Sequence, residues 1–131
     1  MNKIKFSVLF LLFLSTLIAS LTRPYNGADL SYIHILFEWE QEPDATSYNL
    51  QVSSQQSFNN IIVDIEEITT VYIEIENIDW DNTYYWKVKP LYSNGNLGEW
   101  SEISSFNIGE KQFPDLDANI YNEDLIQDGL V

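Results

Sequence analysis

The chain has no cysteine among its 131 residues. Disulfides, thiol-anchored lipids and zinc sites of the cysteine type are thereby excluded, so any fold must hold by core packing alone. Cations are also scarce. Six Lys and Arg face twenty Asp and Glu, for a formal net charge of −14. Lys3 and Lys5 lie in the first few residues, which leaves Arg23, Lys87, Lys89 and Lys111 to oppose every acid. Nucleic acid and anionic membrane surfaces need clustered Lys and Arg and are poor partners for such a chain. The acidity itself reads as solubility in a crowded or salty exterior. The single histidine, His34, falls on the polar side of an alternating segment with no Ser or Cys at a recognisable spacing, which speaks against a nucleophilic triad. Asn-x-Ser/Thr acceptors are absent as well, so glycosylation gives no hint of which face is exposed.

No apolar run reaches the roughly 20 residues of a membrane span. The opening MNKIKFSVLFLLFLSTLIAS instead has two lysines, an apolar stretch over residues 6–14, and small or polar residues at Ser15, Thr16, Ala19 and Ser20. That layout predicts a signal peptide over residues 1–20 and a secreted, periplasmic or cell-surface protein. A leader that stays uncleaved as an anchor is the alternative reading.

Helical periodicity and internal repeats are missing too. What is there is alternation with a period of two, the mark of half-buried strands. Ile33, Ile35, Phe37 and Trp39 alternate with His34, Leu36, Glu38 and Glu40. Tyr48, Leu50 and Val52 alternate with Asn49, Gln51 and Ser53, after a break at Pro43 and Asp44. A polar connection, SSQQSFNN, holds one apolar plug, Phe58, ahead of a short run at residues 61–65. Val71, Ile73 and Ile75 alternate with Tyr72, Glu74 and Glu76 in a further two-faced strand. Tyr84, Trp86 and Val88 share one face of the next strand, while Tyr85, Lys87 and Lys89 share the other. Asn94-Gly95 suits a hairpin turn, and a last strand runs over residues 103–108 around Phe106. Turn signals at intervals of roughly 8 to 12 residues predict an all-β, antiparallel sandwich of about seven strands over residues 21–109.

Two segments carry a family resemblance. FEWEQEPDATSYNLQVS resembles the second and third strands of fibronectin type III domains, with a core Trp39, a Pro43-x-Ala45 turn and a core Tyr48. IENIDWDNTYYWKVKPLYSNGNLGEWSEISSFNI resembles the family's last strands, with Tyr84 at the tyrosine corner and Trp86 and Val88 continuing inward. Trp80 stands where a proline is usual. The resemblance covers residues 24–108 and is of the kind seen in secreted bacterial proteins. It implies an immunoglobulin-like sandwich with Trp39, Tyr48, Tyr84 and Trp86 as framework, Trp39 and Trp86 facing each other between the sheets.

Little is left for chemistry. Glu38 with Glu40, and Glu74 with Glu76, are two apart on strand faces, but acid–base pairs need a cleft that a small sandwich does not offer. Asp79 and Asp81 flank Trp80, and Asp115 and Asp117 lie in the tail. Neither pair matches a calcium loop. No catalytic, cofactor or metal residue is assigned. Tyr85, Tyr92 and Trp100 form the one candidate ligand face, able to stack on sugar rings, although Lys87 and Lys89 stems close by would also take cover from such rings.

Residues 110–131 are acidic and read as a linker or the start of a following domain, since Ile120, Tyr121, Leu125, Ile126, Leu130 and Val131 end the chain on apolar residues. The tail is also similar to the approach to the propeller of secreted arylsulfotransferase-like proteins, through its Asp-Gly-Leu step at residues 128–130. The expected function is an exported, non-catalytic spacer or interaction module at the front of a larger secreted protein. The alternatives are the N-terminal piece of such an arylsulfotransferase-like enzyme, with chemistry beyond Val131, or a carbohydrate- or protein-binding module. Expected partners are other domains of the same chain, an extracellular protein or a glycan.

Overall fold

A computed structural model describes residues 18–112. Most of the expected leader, and the tail from residue 113 with its Asp115/Asp117 pair and Asp-Gly-Leu step, lie outside the described residues. Eight strands follow one another: β1 (Leu21–Arg23), β2 (Ala28–Leu30), β3 (Ile35–Trp39), β4 (Ala45–Ser53), β5 (Ile61–Glu67), β6 (Val71–Glu74), β7 (Asn82–Tyr92) and β8 (Ser104–Ile108). They form a three-stranded sheet, β1-β3-β6, packed on a five-stranded sheet, β2-β8-β7-β4-β5.

The strand count exceeds seven because the first edge divides between the two sheets. β1 pairs with β3, and the chain then crosses at Pro24 and turns through Gly27, whose φ of 84° suits a residue without a Cβ. β2 lands beside β8 as a parallel pair, the one departure from an otherwise antiparallel sandwich among the described residues. Ala19 is buried in the core and the Ser20 carbonyl accepts the Glu40 N–H at 2.9 Å, so the packed unit takes in two residues assigned above to the leader.

The core comes from the apolar faces of the inner strands: Ile35, Phe37 and Trp39 on β3, Tyr48, Leu50 and Val52 on β4, Tyr84, Trp86 and Val88 on β7, and Phe106 and Ile108 on β8. The aromatic pairing differs from the expected one. Phe37, not Trp39, meets Trp86, with ring centroids 5.1 Å apart and planes at 67°. Trp39 instead packs edge-on against Tyr48 at 5.6 Å. Phe37 sits mid-sheet, between the β1 and β6 neighbours of β3, and so faces the middle of β7. Trp39 lies one inward step further along, over the start of β4. Both contacts use the edge-to-face geometry that ring quadrupoles favour.

β6 turns the opposite way from the simple hydrophobic reading. Val71, Ile73 and Ile75 face outward, with Ile73 59 % exposed, while Tyr72 is half-buried and Glu74 only 3 % exposed. Register explains it. Tyr72 lies opposite Phe37, whose side chain points inward, and stacks on it at 6.5 Å. Glu74 goes inward with Tyr72 because its carboxylate finds donors there: the N–H groups of Glu76 (2.8 Å) and Asn77 (3.0 Å), the Asn77 amide (3.2 Å) and the Tyr72 hydroxyl (3.0 Å).

Two tyrosine hydroxyls tie loops to the sheets. Tyr84 Oη accepts the Asp79 N–H at 2.9 Å, beside buried Ile78, and Tyr48 Oη accepts the Glu42 N–H at 2.8 Å. Trp80 is half-buried and packs against the core.

Candidate functional site

The residues suited to recognition gather on the outer surface of the five-stranded sheet. β7 buries Tyr84, Trp86, Val88 and Pro90, and therefore presents Tyr85, Lys87 and Lys89 outward, each half-buried. Across the ladder to β4, Ser53 pairs with Tyr85, Gln51 with Lys87 and Asn49 with Lys89. On the other side Ser105 of β8 lies opposite Tyr85.

Trp100 reaches this surface on a segment fastened to the end of β7. The Gly98 N–H donates to the Pro90 carbonyl at 2.8 Å, the Ser101 N–H to the Val88 carbonyl at 2.8 Å, and Ser101 Oγ accepts the Val88 N–H at 3.0 Å. Gly98 permits the close approach, since a Cβ there would lie 2.5 Å from Pro90 Cγ and 3.2 Å from its carbonyl oxygen. Gly98→Ala is accordingly expected to cost about 1–3 kcal/mol by overpacking a buried proline. A lowered urea midpoint with an unchanged slope would register it, and a midpoint equal to the parent's would refute it.

Phe58 arrives from the loop between β4 and β5, in a left-handed conformation at φ 58° with its N–H on the Gln55 carbonyl. Lys87 Nζ lies 4.1 Å from the Phe58 ring centroid and 4.5 Å from that of Trp100, and Lys89 Nζ lies 4.5 Å from the Trp100 centroid. These are cation–π distances. Partial burial, and secondarily the charge of Lys89, hold the Lys87 pKa below its ordinary value. Neither lysine forms an ion pair with a carboxylate among the described residues.

The three aromatics singled out from sequence are thus divided. Trp100 joins Lys87 and Lys89, and Tyr85 stands next to them on β7. Tyr92 follows the inward alternation of Tyr84 through Pro90, and its phenol is close enough to the Tyr48 hydroxyl to act on it electrostatically. Phe58 was the residue the site reading missed, although its place as a lone apolar residue in a polar connection was visible.

The acidic residues weighed from sequence do not gather at this surface. Glu74 is enclosed by its donors, Glu38 lies 3.8 Å from Arg23 Nε, and His34 is exposed in the bend just before β3. Burial, then repulsion from Glu40, pushes the Glu42 carboxyl up. Asp79 and Asp81 are exposed in the turn around Trp80, and no group of three or more His, Asp or Glu converges among the described residues.

Sheets of three and five strands, a first strand divided between them, and a corner anchored by Tyr84 define a fibronectin type III-like sandwich. Solved structures share it. A Fn3-like protein from Clostridium thermocellum is 20 % identical, covering 67 % of this chain and 92 % of that one at a TM-score of 0.51. The fibronectin type-III domain of human fibronectin type III domain containing protein 3 is 16 % identical, covering 76 % and 91 % at 0.52. The fibronectin(III)-like modules of Clostridium thermocellum CbhA are 8 % identical, covering 72 % and 99 % at 0.50. At these identities the likeness is one of fold. No family model matches the chain, and no curated protein matches its sequence. The likeness of the tail to arylsulfotransferase-like proteins finds no support in these comparisons.

Proposed function

We propose that the chain is an exported, non-catalytic fibronectin type III-like module that acts as spacer and interaction domain at the front of a larger secreted protein. The observation that carries this reading is the path of the chain. Residues 18–21 lie beside Glu102 and Ser104, at the start of β8, whereas β8 ends at Ile108 opposite Asn82, with the Gly109 N–H on the Leu30 carbonyl. The module is therefore entered at one end of the sandwich and left at the other. That arrangement separates whatever precedes and follows it by the length of the domain, as a spacer must. The carboxylates with shifted pKa values support the non-catalytic half, because Glu74 is committed to loop donors and Glu42 lies beside the hydroxyl that Tyr48 uses to hold its turn.

The test is the mass of the native secreted product, captured with an antibody against residues 24–108. A species well above 15.2 kDa, the mass of the chain itself, is expected. A product at or below that mass would overturn the larger-protein reading and leave any function on the sandwich surface.

A further inference from the structure

Four strands stand at sheet edges among the described residues: β1 and β6 in one sheet, β2 and β5 in the other. An edge offers unpaired main-chain groups to a further strand, and folds blunt it with shortness, a bulge or charge. β1 and β2 have three residues each, and the register of β1 is irregular between Leu21 and Arg23. β5 carries Asp64 and Glu66 on its exposed face. β6 differs. Its outward residues are Val71 and Ile73, followed in the same alternation by Ile75, and all three are exposed. Leu36, also exposed, lies directly across from Ile73 on β3, so the apolar surface continues onto the next strand.

The main chain is turned to the same purpose. The Trp39 N–H donates to the Thr70 carbonyl at 3.1 Å, so Thr70, and by alternation Tyr72 and Glu74, direct their N–H and C=O groups toward β3. Those of Val71, Ile73 and Ile75 therefore point to the open side. The Thr69 hydroxyl caps Val71, donating to its carbonyl at 3.0 Å and accepting its N–H at 3.4 Å. Ile73 and Ile75 have no such side-chain cover among the described residues.

This edge is complementary to itself. An antiparallel pair of β6 strands centred on Ile73 sets Ile73 against Ile73, Val71 against Ile75, Tyr72 against Glu74 and Thr70 against Glu76. Outward main-chain groups then meet one another, apolar side chains share the outer face, and no carboxylate opposes a carboxylate. Neighbouring registers are worse. Centring on Glu74 puts two carboxylates opposite each other, and centring on Tyr72 leaves Ile75 opposite Thr69. Glu74 does not obstruct the favoured register, since the Glu76 and Asn77 N–H groups of its own copy already hold its carboxylate.

We infer that β6 is a self-association edge: two copies pair antiparallel through β6, centred on Ile73, and join their three-stranded sheets into one of six strands. The occupant is a second copy because one register satisfies both strands at once. The strand is short, so the dimer is weak, with a Kd on the order of 100 μM. This gives the interaction role proposed above a partner and rests on that reading only for its setting.

Sedimentation equilibrium of the secreted chain from about 10 μM to about 1 mM is expected to show monomer and dimer in exchange. Two chains of this acidity repel, so added salt should strengthen the dimer. Ile73→Lys should weaken it at least about tenfold at an unchanged urea midpoint, since the side chain is exposed. The absence of cysteine opens a second readout. Ile73→Cys should give a disulfide-linked dimer on mild oxidation, because hydrogen-bonded antiparallel partners lie about 5.5 Å apart at Cα, within disulfide reach. Val71→Cys should not, since four residues of strand set its two copies about 14 Å apart. If Ile73→Lys fails to fold, the cysteine variants still decide. A monomer throughout the range would overturn the proposal, and slow exchange of the Ile73 amide in that monomer would give the edge to residues 113–131 instead. Val71→Cys linking as readily as Ile73→Cys would overturn it too, by showing contact without this register. Association is read on the chain itself, so a small native product in the mass measurement would leave the result standing.

Discussion

Trp86→Ala is expected to lower the stability of the module by about 3–5 kcal/mol, the range for truncating a buried large aromatic. Trp86 is fully buried at the centre of β7 and meets Phe37 of the opposite sheet at 5.1 Å. Phe37 in turn touches Phe106 at 5.8 Å and stacks on Tyr72, so the indole is one of the rings through which the five-stranded sheet grips the three-stranded one. A small domain has about 5–15 kcal/mol in total, and no disulfide backs up this one. Loss of the ring therefore removes a large share of it. The check is equilibrium urea unfolding of the secreted chain, where the midpoint should fall sharply. Trp86→Phe should fall much less, since it keeps an aromatic edge for Phe37 and deletes an indole N–H that has no protein acceptor. A loss below about 1 kcal/mol for the alanine variant would mean that the sheets are not joined through this ring.

Glu74→Ala comes next, at about 3 kcal/mol, from a residue that composition alone would place in solvent. Its carboxylate accepts from two backbone N–H groups, an amide and a hydroxyl, and alanine would leave those donors facing a cavity. The same contacts give an acid dependence. Burial alone would push the Glu74 carboxyl up, but the Glu76 and Asn77 N–H groups, with the Tyr72 hydroxyl and the Asn77 amide, outweigh it and hold the pKa below the ordinary 4.5. A carboxyl depressed in the folded state contributes stability that is fully present above its unfolded pKa and is lost as pH falls through the folded value. The parent's urea midpoint should thus decline as pH drops below about 4.5, while the decline in Glu74→Ala is shallower over the same interval. Parallel declines would show that other carboxylates carry the acid sensitivity. Tyr72 keeps its proton throughout, because burial, and then the Glu74 carboxylate, push its hydroxyl up to about 12.

The outward Ile73 and Val71, with Leu36 opposite Ile73 on β3, show how far pattern reading carries at an edge. On an inner strand, flanked on both sides, one face is apolar and the other polar, and alternation leaves no choice. β6 offers two acceptable inner faces, Val-Ile and Tyr-Glu. The choice falls to Phe37, which needs a ring across the ladder, and to loop N–H groups that need an acceptor. Neither is visible in residues 71–76. Tyr92 is the contrary case. It stands an odd number of positions from Tyr85, so alternation by itself places the two on opposite sides of β7, and grouping them overlooked a signal that was present.

By itself, then, the sequence determined the all-β class, the inner strands and the apolar faces bearing Trp39, Tyr48, Tyr84 and Trp86, because a period of two is a local property of an extended backbone. Only the tertiary structure decided which rings meet across the sheets, which way β6 faces, and that Phe58 from a distant loop joins Trp100 around Lys87. Those outcomes depend on register and loop path, which are fixed by packing between residues far apart in the chain.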